Sequence, residues 1–239
     1  MKITILTLFP EMFHSMMESS IIKRAIEKNQ VTIELVNFRD YSHDKHHHVD
    51  DTPYGGGQGM VISCPSVVEA IEAVRTPSSH VVMMSPRGIT YNQKIARHFA
   101  YNYDHIVLLC GHYEGFDERI LKYVDEEISI GDYILTGGEL GAMIVSDSII
   151  RLLDGVIRES SHEDESFENE LLEYPQYTRP LVFRGDCVPE VLTSGHHENI
   201  RKWRLEKSLE ITLERRPDLL ANRQFTEEEK KLLEKIKKD

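Results

Sequence analysis

Cysteine is scarce in this sequence, and long apolar runs are missing. The 239 residues contain three cysteines, Cys64, Cys110 and Cys187, which form no CxxC pair, and an odd number argues against a disulfide framework. No apolar run reaches the roughly 18 residues that a membrane span needs, so we expect no membrane partner. The opening residues MKITILTLFPEMF lack a small-residue cleavage site, which argues against a signal peptide. A reduced, cytoplasmic protein is therefore expected.

Basic residues are also fewer than acidic ones, with 28 Lys and Arg against 40 Asp and Glu. The formal net charge is −12, which taken alone argues against nucleic acid, because phosphate binding favours a basic surface. The charge is unevenly distributed, however. Residues 159–174 hold seven acids and no Lys or Arg, whereas residues 201–216 hold six basic residues and three acids. This locally basic segment remains compatible with RNA binding.

Short apolar strands alternate with helical segments as far as Gly155. Strands are predicted at Lys2–Leu8, Val31–Asn37, His80–Ser85, His105–Cys110 and Glu127–Ile130. Helices are predicted at Met12–Lys28, Pro65–Arg75, Asn92–Tyr101, Phe116–Tyr123 and Glu139–Leu153. This alternation is typical of an α/β domain built on a mostly parallel sheet, which we place at residues 1–158.

The chain changes character after this domain. The charge density of residues 159–173 predicts a flexible acidic linker. Residues 174–239 are expected to form a small all-helical C-terminal domain, with helices at His197–Arg215 and Thr226–Lys238. Thr226 followed by Glu229 has the spacing of a capping box.

Three glycine-containing segments stand out. Residues 50–60 (DDTPYGGGQGM) hold four glycines within five positions, which indicates either a flexible loop or a close backbone approach to a ligand. No Lys-Ser/Thr follows, so the segment is not a Walker A loop, and its spacing is not that of a Rossmann fingerprint. Residues 109–119 (LCGHYEGFDER) follow an apolar strand, at whose carboxyl end ligands bind in open α/β sheets. Residues 128–140 (ISIGDYILTGGEL) could hold a ligand through backbone amides or form a buried turn.

Histidines cluster at residues 43–48 (HDKHHH), followed by Asp50 and Asp51. Their spacing matches no zinc site, and the run lies in a polar segment where solvated histidines are ordinary. We therefore predict no metal centre there. Cys110 lies at a predicted strand end, which allows a reactive thiol, but no Cys-His pairing is evident.

Taken together, these segments resemble a known family. In this order and spacing, VDDTPYGGGQGM, LCGHYEGFDER and ISIGDYILTGGEL resemble the signatures of the bacterial tRNA (guanine-N1)-methyltransferases. Further matches are TLFPEMF from Thr7, NFRDY from Asn37, YPQYTRP from Tyr174 and SGHHENIRKWR from Ser194. The resemblance covers nearly the whole chain.

The resemblance implies a fold and an assembly. The family belongs to the SPOUT methyltransferases, so the first domain should contain a deep trefoil knot, an exception to the rule against threaded chains. It should act as an obligate homodimer whose active sites are built from both chains. The C-terminal domain should hold the anticodon arm of tRNA.

The resemblance also implies an S-adenosylmethionine site in the knotted domain. The residues that match it are Ser85, Pro86, Gly111, Tyr113, Glu114, Ile130, Gly131, Asp132, Tyr133, Ile134, Leu135, Gly137 and Gly138. One departure is Gly141, where related proteins often carry proline. The family is reported to need magnesium, although no dedicated metal cage is visible in this sequence.

The implied reaction methylates N1 of the guanosine immediately 3′ of the anticodon and needs a general base. The family's base is an aspartate just before Ser-Phe, and alignment on Ser166-Phe167 places Glu165 there, with Asp164 as the alternative. Without the resemblance, both would be interpreted as solvated acids of the linker. Arg151 matches an arginine that orients the base and stabilises charge on guanine, and Asp50 matches a residue that recognises the target guanine.

RNA affinity is expected from the C-terminal helices, chiefly Arg201, Lys202 and Arg204, with Lys207, Arg215 and Arg216. Two other functions make different demands on the sequence. A nucleotide hydrolase would need a lysine in a phosphate loop, and none is present. A non-catalytic RNA-binding protein would keep the basic helices without cofactor loops, so cofactor binding distinguishes it.

Overall fold

The structure is a computed structural model that describes residues 1–157, 166–167 and 170–237. The chain divides into two compact units, Met1–Ile157 and Arg158–Asp239. Within the described residues, no helix is both long and apolar enough to cross a membrane.

A parallel sheet forms the centre of the first unit. In chain order the elements are β1 (Lys2–Thr7), α1 (His14–Met17), α2 (Ser20–Glu27), β2 (Thr32–Asn37), β3 (Asp50–Asp51), β4 (Val61–Ile62), α3 (Cys64–Val74), β5 (Ser79–Thr90), α4 (Gln93–Asn102), β6 (His105–Leu109), β7 (Glu126–Ser129) and α5 (Glu139–Ile150). Five strands pair in the order β2-β1-β6-β5-β7, and every pair is parallel. This confirms the predicted α/β class with a parallel central sheet.

Two apolar clusters cover the two faces of this sheet. Strand β6 is buried along its whole length, as expected of a central parallel strand. Its alternate side chains point to opposite faces, so Ile106 and Leu108 join one cluster while Val107 and Leu109 join the other. Helices α2, α4 and α5 contribute to the first cluster, and α3 contributes to the second.

Two predicted elements of this unit differ in the structure. The helix predicted at Met12–Lys28 is interrupted, because Ser20 adopts a φ of 49° and Ser19 is extended at the start of α2. Serine hydrogen-bonds locally and so favours such breaks. Strand β5 does not end at Ser85 but continues to Thr90, with a register shift between Met84 and Ile89.

Glycine makes the extension of β5 possible. A Cβ on Gly88 would lie 2.4 Å from the backbone carbonyl carbon of Glu127 and from the amide nitrogen of Ile128, both in β7. Only a residue without a side chain fits at that distance. The segment Pro86-Arg87-Gly88 therefore marks a close approach of two strands rather than a strand end.

The second unit contains two long helices and a short ribbon. Its elements are β8 (Val182–Phe183), β9 (Asp186–Cys187), α6 (Glu190–Thr193), α7 (His197–Arg215) and α8 (Glu227–Ile236). Helix α7 has the predicted bounds, and Leu209 and Leu233 pack between α7 and α8. The prediction of an all-helical domain is wrong, because β8 and β9 form an antiparallel pair. Its two-residue turn, Arg184-Gly185, has positive φ at both positions, as tight hairpins require.

The capping box of α8 gives a stability prediction. The Thr226 hydroxyl accepts a hydrogen bond from the Glu229 amide at 3.2 Å, and the Glu229 carboxylate accepts one from the Thr226 amide at 2.7 Å. Thr226→Ala should lower the free energy of unfolding by about 1 kcal/mol, because one amide loses its partner. Urea denaturation of the full chain measures this. Thr226→Ser keeps the hydroxyl and serves as the control, and equal stability of the two variants would contradict the assignment.

Candidate functional site

The loops that follow β6 and β7 meet at the carboxyl edge of the sheet. Gly138 donates its amide to the carbonyl of Gly111 at 2.8 Å, and His112 forms an isolated antiparallel bridge with Gly137. Because β5 lies between β6 and β7, these loops reach across the intervening strand to touch. Ligands of parallel α/β sheets bind at this edge.

The first glycine segment is held against the loop after β6. The Ile62 amide donates to the Gly115 carbonyl at 2.9 Å, and the Glu114 amide donates to the Met60 carbonyl at 3.1 Å. A Cβ on Gly59 would lie 2.5 Å from a Glu114 carboxylate oxygen. Gly55 and Gly56 have no neighbouring atom within 4 Å of such a Cβ, so only the end of this segment makes a close approach.

A cavity of about 570 Å³ lies between these loops. Twelve of the thirteen residues predicted to bind a cofactor line it, namely Ser85, Pro86, Gly111, Tyr113, Glu114, Ile130, Gly131, Tyr133, Ile134, Leu135, Gly137 and Gly138. Asp132 is exposed and does not line it. Residues that sequence reasoning missed include Met83, Met84, Arg87, His112, Phe116, Asp117, Ser129, Thr136 and Gly141.

Backbone forms much of the cavity wall, which explains its glycines. A Cβ on Gly138 would lie 2.9 Å from the Cα of Cys110 and 3.0 Å from the amide nitrogen of Gly111. Neither neighbour is the end of a flexible side chain, so neither can move aside cheaply. A Cβ on Gly141 would lie 2.8 Å from the terminal methyl of Met84 and at an ordinary contact distance of 3.7 Å from two Ile130 methyl groups.

A buried polar group lies beneath the loops and was missed by sequence reasoning. Glu139, the first residue of α5, is 2% exposed, and one of its carboxylate oxygens accepts a hydrogen bond from the Thr7 hydroxyl at 2.8 Å. A Cβ on Gly137 would lie 2.3 Å from the other Glu139 oxygen. The same Cβ would lie 2.7 Å from Nδ1 of His112. That His112 nitrogen is buried and has no hydrogen-bond partner among the described residues. No sequence signal links Thr7 to a residue 132 positions away.

The thiol of Cys110 is not activated. Burial, and then the negative charge of Glu139, raise the pKa of the Cys110 thiol well above its ordinary value. A thiolate nucleophile is therefore disfavoured at this strand end.

Comparison with known proteins identifies the family. The family model for tRNA (Guanine-1)-methyltransferase TrmD matches residues 1–222. The chain belongs to this family. It is 57% identical to the tRNA (guanine-N(1)-)-methyltransferase of Ureaplasma urealyticum, over 92% of this chain and 96% of that protein. It is 56% identical to the Halalkalibacterium halodurans protein of the same name, over 100% of this chain and 98% of that protein. It is 55% identical to the Clostridium botulinum protein of the same name, over 100% of this chain and 99% of that protein.

Asp50 and Arg151, which are also predicted site residues, do not line the cavity. Asp50 lies half-buried in β3, and Arg151 is the half-buried C-terminal capping residue of α5. Glu165 and Asp164, the two candidates for the general base, lie outside the described residues. Their roles stay predictions.

The basic residues of α7 are paired with acids in the second unit. The Arg201 guanidinium contacts Glu198 at 2.9 Å and Glu228 at 2.7 Å, and the Lys202 ammonium lies 3.6 Å from Glu198. The Arg204 guanidinium lies 4.7 Å from the centre of the Tyr174 ring. The local excess of positive charge read from residues 201–216 is therefore partly neutralised by neighbouring acids.

The histidine run forms no metal centre among the described residues. His43 contacts Glu69 at 2.9 Å, and His48 contacts Asp44 at 2.8 Å. Throughout the described part of the chain, no group of three or more His, Cys, Asp or Glu side chains is placed to hold a metal ion.

An ion pair at the cavity wall gives a titration prediction. The Arg119 guanidinium, hydrogen-bonded to Asp117, holds the pKa of that carboxyl well below its usual range. A depressed pKa contributes stability that is present above about pH 3.9 and is lost as the pH falls toward the folded-state pKa. Arg119→Gln should raise the Asp117 pKa toward its ordinary value, which ¹³C NMR titration of the carboxyl carbon measures.

The control for this titration is Arg75→Gln. It removes the partner of Asp125, at 2.8 Å, and should leave Asp117 unchanged. An Asp117 titration that is the same in the wild type and in Arg119→Gln would contradict the assignment.

Proposed function

We propose that this protein transfers the methyl group of S-adenosylmethionine to N1 of the guanosine immediately 3′ of the anticodon in tRNA, nucleotide 37. The products are 1-methylguanosine and S-adenosylhomocysteine. The observation that carries the proposal is the cavity walled by two glycine loops at the carboxyl edge of a parallel sheet, in a chain of the tRNA (guanine-1)-methyltransferase family.

The cavity fits a nucleoside cofactor in size and chemistry. About 570 Å³ falls in the range of ligand pockets, roughly 300–1,000 Å³. Its glycines expose backbone amides and carbonyls, which can pair with an adenine edge, while Ile130, Ile134 and Leu135 supply apolar contacts. Bound there, S-adenosylmethionine would supply a methyl group already activated by its sulfonium.

The protein's own task is to remove a proton and align the reactants. Guanine N1 is a poor nucleophile while it carries its proton, so a base within hydrogen-bond reach must take it. We assign this role to Glu165, with Asp164 as the alternative, from the alignment on Ser166-Phe167. Arg151 would stabilise the negative charge that spreads to guanine O6. Alignment of nitrogen, methyl and sulfur supplies the rest of the acceleration.

Binding of tRNA is proposed to involve the second unit, with the target base flipped out of its stack. Phosphates would compete with Glu198 and Glu228 for Arg201 and Lys202, while Arg204 lies nearby on the same helix. The exposed tip of the β8–β9 ribbon adds Phe183, whose ring lies 5.4 Å from the Arg184 guanidinium. Aromatic rings and guanidinium planes both stack on unpaired bases. Asp50 is proposed to recognise the target guanine.

A homodimer is the proposed assembly. Ile134, which also lines the cavity, is 83% exposed, and Leu140 and Ile144, four residues apart on α5, are 47% and 46% exposed. Apolar side chains grouped on a surface favour burial against a partner. A second copy of this chain would cover them.

We also propose a knot and a domain organisation like those of the family. We propose that the crossing of the loops after β6 and β7 belongs to a deep trefoil knot. We also propose a knotted domain at residues 1–158, a linker at 159–173 and a tRNA-binding domain at 174–239, and the division between residues 157 and 158 supports the first boundary. Among the described residues, no group of three or more His, Cys, Asp or Glu side chains is placed to hold a metal ion, and each proposed step uses the protein's own side chains.

The general base can be identified by methyl transfer. Wild-type protein, Glu165→Gln and Asp164→Asn would be incubated with tritiated-methyl S-adenosylmethionine and a tRNA transcript with guanosine 3′ of the anticodon. Transfer to guanine N1 should be abolished only in Glu165→Gln, because the amide cannot accept the proton. The incorporated label and the methylated nucleoside are measured.

Other outcomes separate the remaining possibilities. Loss only in Asp164→Asn would keep the function and move the base by one residue. Cofactor binding without transfer would indicate another substrate. Absence of cofactor binding by the wild type would favour a non-catalytic RNA-binding protein.

The cavity wall can be tested at Gly138. Gly138→Ala should weaken S-adenosylmethionine binding by more than about tenfold, because the new Cβ would push apart the backbones of the two loops. Gly141→Ala is the matched control, and its effect should be smaller because only the end of Met84 has to move. Isothermal titration calorimetry on folded protein measures both. Equal effects would show that the close approach at Gly138 does not shape the site.

A further inference from the structure

The Glu139 carboxylate is a buried charge without a cationic partner. It is 2% exposed, and within the described part of the chain no Lys, Arg or His forms an ion pair with it. Burial of an ionised carboxylate is costly unless another charge or several hydrogen bonds compensate it. Such a charge therefore calls for an explanation.

The groups around Glu139 compensate it only in part. The Thr7 hydroxyl accepts a hydrogen bond from the Phe9 amide at 2.9 Å, so its single proton is directed to Glu139. Glu139 also begins α5, where the helix dipole supplies the equivalent of roughly half a positive charge. Neither group is a full positive charge, and the nearby Nδ1 of His112, 2.7 Å from the same Gly137 Cβ position, has no hydrogen-bond partner among the described residues.

This charge lies immediately behind the cavity wall. One Glu139 oxygen occupies the space that a side chain on Gly137 would take, 2.3 Å from its Cβ position. Gly137 lines the cavity, and its neighbour Gly138 is hydrogen-bonded to Gly111, which also lines it. The electric field of the carboxylate therefore reaches the cavity through a glycine turn and not through bulk water. The turn screens the negative charge much less than water would.

We propose that Glu139 makes the cavity selective for a positively charged ligand, so that the site prefers the sulfonium cofactor to its neutral thioether product. The proposal rests on the proposed function, since it concerns the same site. The two ligands differ by one methyl group and one positive charge on sulfur. A site with a buried negative charge beneath it binds the cation more strongly, and this favours release of the product.

The other anions of the cavity are less suited to this role. Asp117 is paired with Arg119, and Glu118 is paired with Arg87 at 3.1 Å. Glu114 is unpaired among the described residues but exposed, so water and salt screen its charge. Glu114 is therefore the other candidate for the acid that favours a cationic ligand, and the variant Glu114→Gln is included in the test.

The test compares three ligands by isothermal titration calorimetry. They are S-adenosylmethionine, S-adenosylhomocysteine and sinefungin, in which a carbon bearing an ammonium group replaces the sulfonium centre. In the wild type, both cationic ligands should bind more tightly than the thioether. Glu139→Gln should reduce this preference about tenfold or more, which corresponds to at least about 1.4 kcal/mol, while thioether affinity changes little.

Two controls separate charge from structure. Glu139→Asp retains the charge and should retain most of the preference, even if it lowers the unfolding temperature, whereas Glu11→Gln removes an exposed acid and should change nothing. A preference that Glu114→Gln abolishes and Glu139→Gln leaves intact would overturn the proposal. Equal loss of affinity for all three ligands in Glu139→Gln would also overturn it, because that pattern is structural.

The wild type alone gives a decisive comparison, even if Glu139→Gln does not fold. Thioether binding as tight as that of both cations would overturn the proposal and leave the methyltransferase function standing. Failure of the wild type to bind any of the three ligands would overturn the proposed function as well.

Discussion

Close contact between two backbone loops is the constraint on which this site depends. The strand order places β5 between β6 and β7, so the loops after the outer two must cross the edge of the middle one to meet. Their contact, from the Gly138 amide to the Gly111 carbonyl, leaves no room for side chains. Gly137 and Gly138 follow from it, because a Cβ on either residue would meet atoms of the loop after β6. This geometry also explains why a ligand would be recognised largely by backbone groups.

The charge distribution poses a separate problem, because a protein of net charge −12 is proposed to bind RNA. The cations of α7 do not form an open basic surface, since Arg201 is shared between two glutamates. A phosphate that binds Arg201 or Lys202 must replace an existing ion pair, so the net gain is smaller than for a free cation. Because of this exchange, we expect RNA recognition to depend more on the shape of the RNA and on base stacking than on the overall attraction between charges. The exposed Phe183 and Arg184 suit recognition of that kind.

Local signals in the sequence predicted much of the fold. The apolar strands, the bounds of α7 and the capping box at Thr226 depend on neighbouring residues, and all three are present in the structure. One error arose where a distant contact decides the outcome, and another where a local turn signal was present. Strand β5 continues past Pro86 because Gly88 allows β7 to approach, and the β8–β9 ribbon was overlooked although Arg184-Gly185 is a suitable turn. The residues of the proposed base could be named from alignment, but they lie outside the described structure.

In the candidate site, too, features that depend on neighbouring residues could be predicted from the sequence, whereas a feature that depends on a distant contact could not. Glycine-rich segments can be recognised in a sequence, because each is a short run with an unusual composition. Glu139 could not be singled out, because its partner Thr7 is 132 residues earlier and its importance lies in being buried without a cation. A buried charge is costly, and we infer from its place behind the cavity wall that the field of Glu139 has a use. In a site proposed to bind a cation and release a neutral product, that use is discrimination between the two.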